Sequence, residues 1–179
     1  MENKVINVIK NRVSCREYSD KKVSLAKALQ VAEAGKMAPS GMNRQISNIL
    51  VLRKKSLVEK LRKLAIEVGG KDPYYGATTL ILVYGPRDDR FTVQDCSCIL
   101  ENMFIAATAL KINSCWINRT DDLLNTPKGA KIKKQLGLEE NAMVVGTCIL
   151  GYAKDESKLA VKPRKDDFVK VLWFSKQLI

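Results

Sequence analysis

Apolar residues recur along the chain at two spacings, and these spacings separate helices from strands. Apolar positions three or four residues apart predict helices at 5–9, 24–35, 56–68, 94–110 and after Thr126. Short continuous apolar runs predict strands at 49–52, 79–84, 114–118 and 143–150, and we expect the first two of these to be buried. The order of these elements predicts a mixed α/β chain without repeats or linkers, organised as one domain over residues 1–179.

Two of the predicted helices differ in how much of their surface is apolar. The helix over 24–35 begins after Ser24, a good N-cap. The face that we expect it to bury consists of Leu25, Ala28, Leu29 and Ala32. The helix over 94–110 is apolar on more than one side, which predicts a central and buried position.

The end of the chain is apolar as well. Residues 168–174 follow a mostly extended apolar pattern, and such a segment is unsuited to a free chain end. We expect residues from about 166 to 179 to pack as an arm on the body or on a second subunit.

Length and composition indicate how large a core the chain can form and in which cellular compartment we expect it. The chain has 179 residues, of which 46% are hydrophobic, and this suffices for one domain with a substantial core. No apolar run approaches the roughly 18 residues of a membrane span, and the N-terminus lacks a signal-peptide pattern. Five cysteines without regular spacing argue against a disulfide framework. We therefore expect a soluble cytoplasmic protein without a membrane partner.

The absence of histidine excludes several kinds of chemistry. Ser-His-Asp and Cys-His catalysis both need an imidazole, and so does the usual acid or base near neutral pH. Cys96 and Cys98 form a C-x-C pair without a second pair at metal spacing, so no metal site is expected. If the protein is an enzyme, a bound cofactor is the natural source of its difficult step.

The net charge of +12 comes from 31 Lys and Arg residues against 19 Asp and Glu residues. One interpretation is a lysine-rich solvated surface, because the excess is spread along the chain. The other is nucleic-acid binding through basic runs such as 53–55 and 131–134. No helix-turn-helix, zinc finger or aromatic RNA-binding pattern accompanies these runs. We therefore prefer the solvated surface and expect no nucleic-acid partner.

Two sets of cations could hold a phosphate. Near the N-terminus, two arginines flank a serine, and positions two apart share a face in an extended segment. Arg12, Ser14 and Arg16 can therefore converge on phosphate oxygens. Near the C-terminus, Lys162 and Arg164 bracket a proline. The alternatives are an ordinary surface pair for the first set and a solvated loop for the second.

Two further segments could contact a polar, flat ring. The turn at 38–45 has the sequence Ala-Pro-Ser-Gly-Met-Asn-Arg-Gln, and its side-chain amides can hydrogen-bond such a ring. The strand end at 114–119 carries Cys115 and Trp116, although a core strand with an interface tryptophan is the plainer interpretation. Neither a G-x-G-x-x-G motif nor a P-loop is present, so any phosphate has to be held by side chains.

Taken in order, these segments resemble the nitroreductase family of flavin enzymes. The likeness begins at 12–18, with an Arg-x-Ser-x-Arg pattern and a following aromatic residue, and continues through the 38–45 turn. Later parts are the helix over 95–107, the segment from Ser114 to Ile117, Leu150-Gly151-Tyr152 and the Lys162–Arg164 pair. Each motif is short, but their order and spacing are specific and extend over nearly the whole chain.

The resemblance implies an α+β fold with a central mixed or antiparallel sheet flanked by helices, in an intertwined homodimer that binds FMN at the subunit interface. The FMN phosphate and ring edge would be held by Arg12, Val13, Ser14, Arg16, Lys162 and Arg164. The turn that reaches the FMN of the other subunit matches Pro39, Ser40, Gly41, Asn43 and Gln45. The segment beside the isoalloxazine matches Trp116, Ile117 and Asn118, and the backbone N–H of Asn118 would face N5.

The resemblance also implies a reaction. A ping-pong oxidoreductase would take hydride from NADH or NADPH through FMN to a small organic acceptor, such as a nitroaromatic or a quinone. Hydride transfer to the flavin needs no side-chain acid or base, which accounts for the missing histidine. Two alternatives stay open, namely a flavin-binding redox sensor or store without turnover, and a basic nucleic-acid-binding domain.

The chain departs from the family pattern in two places. Ile46 and Ser47 stand where the family often has Pro-Trp, and the long helical insertion that covers the substrate pocket in larger members is missing. We expect residues 69–76 to form what lid there is.

Overall fold

A computed structural model describes residues 3–171, and within this range the chain forms six α-helices and four strands. The helices are α1 (Lys4–Asn11), α2 (Leu25–Lys36), α3 (Lys55–Gly69), α4 (Thr92–Ala109), α5 (Thr120–Leu124) and α6 (Pro127–Gln135). The strands are β1 (Asn48–Leu52), β2 (Thr79–Pro86), β3 (Asn113–Ile117) and β4 (Ala142–Gly151). Short 3-10 turns occur at Gly41–Asn43, Glu156–Lys158 and Asp166–Phe168.

The four strands form one antiparallel sheet in the order β1-β2-β4-β3. Helices α2 and α4 pack on one face of the sheet, and α3, α5 and α6 pack on the other. This arrangement confirms the predicted α+β class with a sheet flanked by helices. The predicted helices and strands are all present, with ends that differ by one or a few residues.

The local sequence explains where several helices begin and end. The hydroxyl of Ser24 accepts a hydrogen bond from the backbone N–H of Lys27, as expected of an N-cap. Thr126 caps α6 in the same way, directly before the proline at its first position. Helix α3 ends at Gly70, whose φ of 72° lies in the left-handed region that glycine adopts without strain.

Two burial predictions were wrong. The buried residues of α2 are Ala28, Val31 and Gly35, whereas Leu25 and Leu29 are about half exposed. Helix α2 packs closely against α4, where a Cβ on Gly35 would overlap the side chain of Met103, so small residues and not leucines fill this contact. Strand β1 was expected to be buried, but only Leu52 is, because β1 is an edge strand of the sheet.

The tail is only partly described. Residues 166–168 form a short 3-10 turn that includes the first residue of the predicted extended segment, and Val169 after it has extended backbone angles. Phe168, Val169 and Val171 are well exposed apolar side chains. Residues 172–179, with Trp173 and Phe174, lie outside the described residues, so packing of the arm on a second subunit stays a prediction.

Other expectations concern cysteines, metals and membranes. All five cysteines are free thiols. Between residues 3 and 171, no group of acidic or cysteine side chains is arranged to hold a metal ion. None of the helices in that range has the length and apolar character required to cross a membrane.

Candidate functional site

A cationic cleft brings together the two sets of predicted phosphate ligands. It has a volume of about 460 Å³, a size typical of small-molecule sites. Its polar lining includes Arg12, Ser14, Arg16, Lys158, Lys162 and Arg164. We call it the arginine cleft. Arg12 and Arg164 are 152 positions apart in the sequence, and the fold brings both to the same cleft.

The N-terminal half of the arginine cleft is fixed by the edge of the sheet. Ser14 forms a parallel bridge with Ser114 of β3, and the backbone N–H of Cys15 donates to the carbonyl of Ser114 at 2.9 Å. The side chain of Cys15 is buried. Arg12, Ser14 and Arg16 alternate along this extended segment with Val13 and the buried Cys15, and all three line the cleft.

The charges of the arginine cleft are unbalanced. Its two acidic residues are already paired, Glu17 with Lys154 at 3.3 Å and Asp155 with Lys158 at 3.8 Å. Within residues 3–171, Arg12, Arg16, Lys162 and Arg164 form no ion pair. Four unpaired cations around one concavity are suited to a multiply charged anion such as a phosphate monoester.

The turn at 39–45 is held in a strained conformation. Met42, Asn43 and Gln45 all have φ between 50° and 55°, in the left-handed region that disfavours ordinary side chains. The hydroxyl of Ser40 accepts from the backbone N–H of Gln45, and the Gln45 amide donates to the Asn43 side chain. Pro39, Asn43 and Gln45 are exposed, and Ser40 and Gly41 are partly buried. Strain of this kind is common where a loop is shaped for a ligand.

A buried carboxylate anchors this turn to the sheet-packed helix α4. Oδ1 of Asp95 accepts a hydrogen bond from the backbone N–H of Gly41 at 2.9 Å, and Asp95 is only 4% exposed. Its other oxygen, Oδ2, is buried and has no hydrogen-bond partner within the described residues. Asp95 lies in the first turn of α4, where the helix dipole favours negative charge.

The arginine cleft and the 39–45 turn do not meet in one chain. They line separate concavities that share no residue. The turn is tied to Asp95 at one end of α4, whereas Val13 borders a hollow with Thr108 at the other end. The rise of an α-helix puts those two positions of α4 about 20 Å apart.

The third predicted segment lies beside a small slot at the end of β3. The slot has a volume of about 280 Å³, and Trp116, Ile117 and Asn118 contribute to it. Trp116 is 36% exposed and packs over Gly146, where any Cβ would overlap the indole. Trp116 is two residues beyond Ser114 on the same strand, so slot and arginine cleft are neighbours along β3.

The structure assigns Cys115 a packing role. Burial raises the pKa of the Cys115 thiol, although the nearby Arg16 and Arg12 oppose that rise. A buried, protonated thiol is a poor nucleophile. This agrees with the sequence, in which no base stands near Cys115.

Several residues of these concavities were not singled out from the sequence. Lys158 joins the arginine cleft, Asp95 anchors the turn, and Tyr75 and Arg119 line the slot with Trp116. Tyr75 belongs to the 69–76 segment expected to form the lid. The sequence offered no signal for Lys158, Asp95 or Arg119, because a single charged residue in a highly charged chain is not part of a motif with a recognisable spacing.

A family model and a related protein agree on the family that this chain resembles. The family model described as "Nitroreductase family" matches residues 9–73 and 66–152. A protein of Archaeoglobus fulgidus, named provisionally as an NADH dehydrogenase/NAD(P)H nitroreductase, is 30% identical over 155 residues, which are 84% of this chain and 86% of the relative.

Solved structures agree with the family match. A nitroreductase with bound FMN from Bacteroides fragilis NCTC 9343 is 30% identical and superposes with a TM-score of 0.89, covering 96% of this chain and 100% of the other. A nitroreductase with bound FMN from Desulfitobacterium hafniense DCB-2 is 27% identical with a TM-score of 0.83, at the same coverage of both chains.

Proposed function

This chain belongs to the nitroreductase family, and we propose that it is an FMN-dependent oxidoreductase that carries reducing equivalents from NADH or NADPH to a small organic acceptor. The observation that carries the proposal is the set of four unpaired cations in the arginine cleft. The cleft has the charge for a phosphate monoester, and the slot along the same strand has aromatic walls for part of a ring. The FMN bound to the two solved relatives has both chemical features.

The proposed roles of the residues follow from their chemistry. Arg12, Arg16 and Arg164 would hold phosphate oxygens with paired N–H donors, and Lys162 would add a point charge. Ser14 would contribute a hydroxyl and Val13 its backbone to the same cleft. When bound, FMN would supply the chemistry by accepting hydride at N5 and releasing two electrons to the acceptor.

The residues of the slot would then place and shield the reacting atoms. Trp116 would exclude water from one side of the ring, and Asn118 would offer its backbone N–H toward N5. Ile117 is buried, so its part is to fix this strand end against the core. The chain has no histidine, and none of these roles requires one.

We further propose that the complete site exists only in a homodimer. The turn residues Pro39, Ser40, Gly41, Asn43 and Gln45 are too far along α4 from the arginine cleft of their own chain to serve it readily. In a symmetric dimer they would reach the neighbour's cofactor. The exposed apolar residues of the tail support an arm, from about 166 to 179, that packs on the partner, with residues 1–179 forming one domain. Five free thiols fit the predicted cytoplasmic location.

The direct test is spectroscopic. The purified full-length protein is expected to show a yellow flavin spectrum, or to acquire one on incubation with FMN and desalting. Addition of NADH or NADPH without oxygen should bleach the absorbance, and a nitroaromatic or quinone should restore it within the same cuvette.

Each contrary outcome points to a different alternative. Bound FMN that neither nicotinamide bleaches would contradict turnover and favour a redox sensor or store. A protein that stays colourless with excess FMN would overturn the proposal. If that colourless protein also bound nucleic acid with steep salt dependence, its charge of +12 would be explained by nucleic-acid binding.

A further inference from the structure

Two basic segments that are 30 residues apart in the sequence meet at one end of the sheet. Arg53 lies between β1 and α3, and its guanidinium donates a hydrogen bond to the carbonyl of Val23 at 2.9 Å. Val23 directly precedes Ser24, the N-cap of α2. Because α2 and α3 pack on opposite faces of the sheet, this hydrogen bond joins the starts of both helices across the end of β1.

The joined segments form a surface that we call the basic patch. It consists of Lys21, Lys22, Arg53, Lys54 and Lys55. All five residues are exposed, and within residues 3–171 none of them forms an ion pair. The two loops that carry them contain a single acidic residue, Asp20. The basic patch therefore has a net positive charge that no ion pair within that range reduces.

The positions of these charges are unfavourable for the protein alone. Lys54 is the N-cap of α3 and Lys55 is its first residue, so both lie at the positive end of the helix dipole. The first turn of α3 has no acidic residue, and no side chain caps this helix end. A bound anion would relieve the repulsion among the cations and would also be favoured by the dipole.

The residue types of the basic patch favour a phosphodiester backbone over a protein partner. Protein interfaces are depleted in lysine and enriched in aromatic residues and methionine, and the patch contains neither of the enriched types. Lysine, arginine and helix N-termini are common contacts of nucleic-acid phosphates. Stacking of unpaired bases needs an open aromatic face, but the ring of Tyr152 lies under Lys21, whose Nζ is 4.5 Å from the ring centroid. A duplex therefore suits the patch better than a single strand.

We propose that the basic patch binds double-stranded DNA through its phosphates, without sequence preference. Five cations correspond to about five phosphate contacts, which predicts a slope between about −4 and −5 for log K against log salt. From the sequence we expected no nucleic-acid partner, because the basic runs are separate along the chain; the fold joins the run at 53–55 to Lys21 and Lys22. The basic patch shares no residue with the arginine cleft, so this binding does not depend on FMN.

Fluorescence anisotropy with a labelled duplex of about 20 base pairs measures the binding over a range of salt concentrations. Excess FMN in the buffer keeps the arginine cleft from binding DNA phosphates. Replacing Lys54 and Lys55 together with glutamine should weaken binding at least about tenfold near 100 mM salt and reduce the steepness of the slope by about two. The matched control replaces Lys71 and Lys128 with glutamine, since Lys71 follows α3 and Lys128 pairs with Glu67 near its C-terminal end. The control should change the affinity less than about threefold.

Thermal unfolding without DNA separates a loss of binding from a loss of structure. Because Lys54 and Lys55 oppose the helix dipole, their double replacement should unfold at the same temperature as wild type or slightly above it. Failure of the wild type to bind the duplex, or an equal loss of affinity in the control variant, would overturn the proposal. Tighter binding to phosphatidylserine vesicles than to the duplex would also overturn it and assign the patch to a lipid surface. None of these outcomes bears on flavin binding, so the proposed function is tested independently.

Discussion

Replacing Arg12 and Arg164 together with alanine is expected to weaken FMN binding about 100-fold. Each single replacement should cost about tenfold, because each removes charged hydrogen bonds to a phosphate worth about 1.5 kcal/mol. The two residues come from opposite ends of the chain, form no ion pair with the two acidic residues that also line the cleft, and would bind separate phosphate oxygens. Their effects should therefore nearly add. Equilibrium dialysis or fluorescence titration of the unloaded protein with FMN measures the change.

Lys154→Ala provides the matched control for this experiment. Lys154 is a nearby cation, but it is paired with Glu17 and does not line the arginine cleft. Its removal should change FMN affinity less than threefold, since an exposed pair contributes little. Thermal unfolding without FMN should be almost the same for all of these variants. Unchanged affinity in both single arginine variants would mean that the phosphate is held elsewhere.

The second large effect is expected at Asp95. Asp95→Ala removes the acceptor of the Gly41 backbone N–H and leaves that group without its partner, at a cost of about 2 kcal/mol in the free energy of unfolding. The strained 39–45 turn would lose its link to α4, and FMN affinity should fall as well if the turn reaches a neighbouring cofactor. Denaturant unfolding and FMN titration measure the two losses.

Asp95→Asn separates the hydrogen bond from the charge. The amide oxygen of asparagine can still accept from Gly41, and the substitution removes a buried negative charge whose Oδ2 has no partner within the described residues. Stability should therefore be kept or slightly increased, and FMN affinity should be near wild type. Equal losses in both variants would contradict the anchoring role and indicate that the charge itself is needed.

The sequence predicted the elements well wherever a local signal was strong. Ser24 and Thr126 are N-caps in the structure, Gly70 ends α3, and the two-sided apolar pattern of α4 corresponds to a central helix. Burial was predicted less well, because it depends on neighbours. Leu29 of α2 is half exposed, whereas Ala28, Val31 and Gly35 are the residues of α2 that are buried.

The sequence suggested which segments contribute to the candidate site, but not how these segments are arranged in space. Alternation in an extended segment was enough to place Arg12, Ser14 and Arg16 on one face. Nothing in the local sequence indicated that Lys158 would join them, or that Gly41 would be bound by a carboxylate 54 residues later. Such contacts arise from the order of strands in the sheet, which pattern alone does not determine. The same holds for Tyr75 and Arg119, which are 44 positions apart and line one slot in the folded chain.

The distance along α4 between the turn and the arginine cleft has a genetic consequence. If each cofactor is held by the cleft of one subunit and the turn of the other, two inactive alleles with different lesions can complement each other. A mixed dimer of a cleft-damaged chain and a turn-damaged chain would contain one site with both lesions and one with neither. Random assortment of equal amounts would then restore about a quarter of the wild-type sites. Two alleles with the same lesion would restore none, so the division of the site between subunits would be visible in a cross.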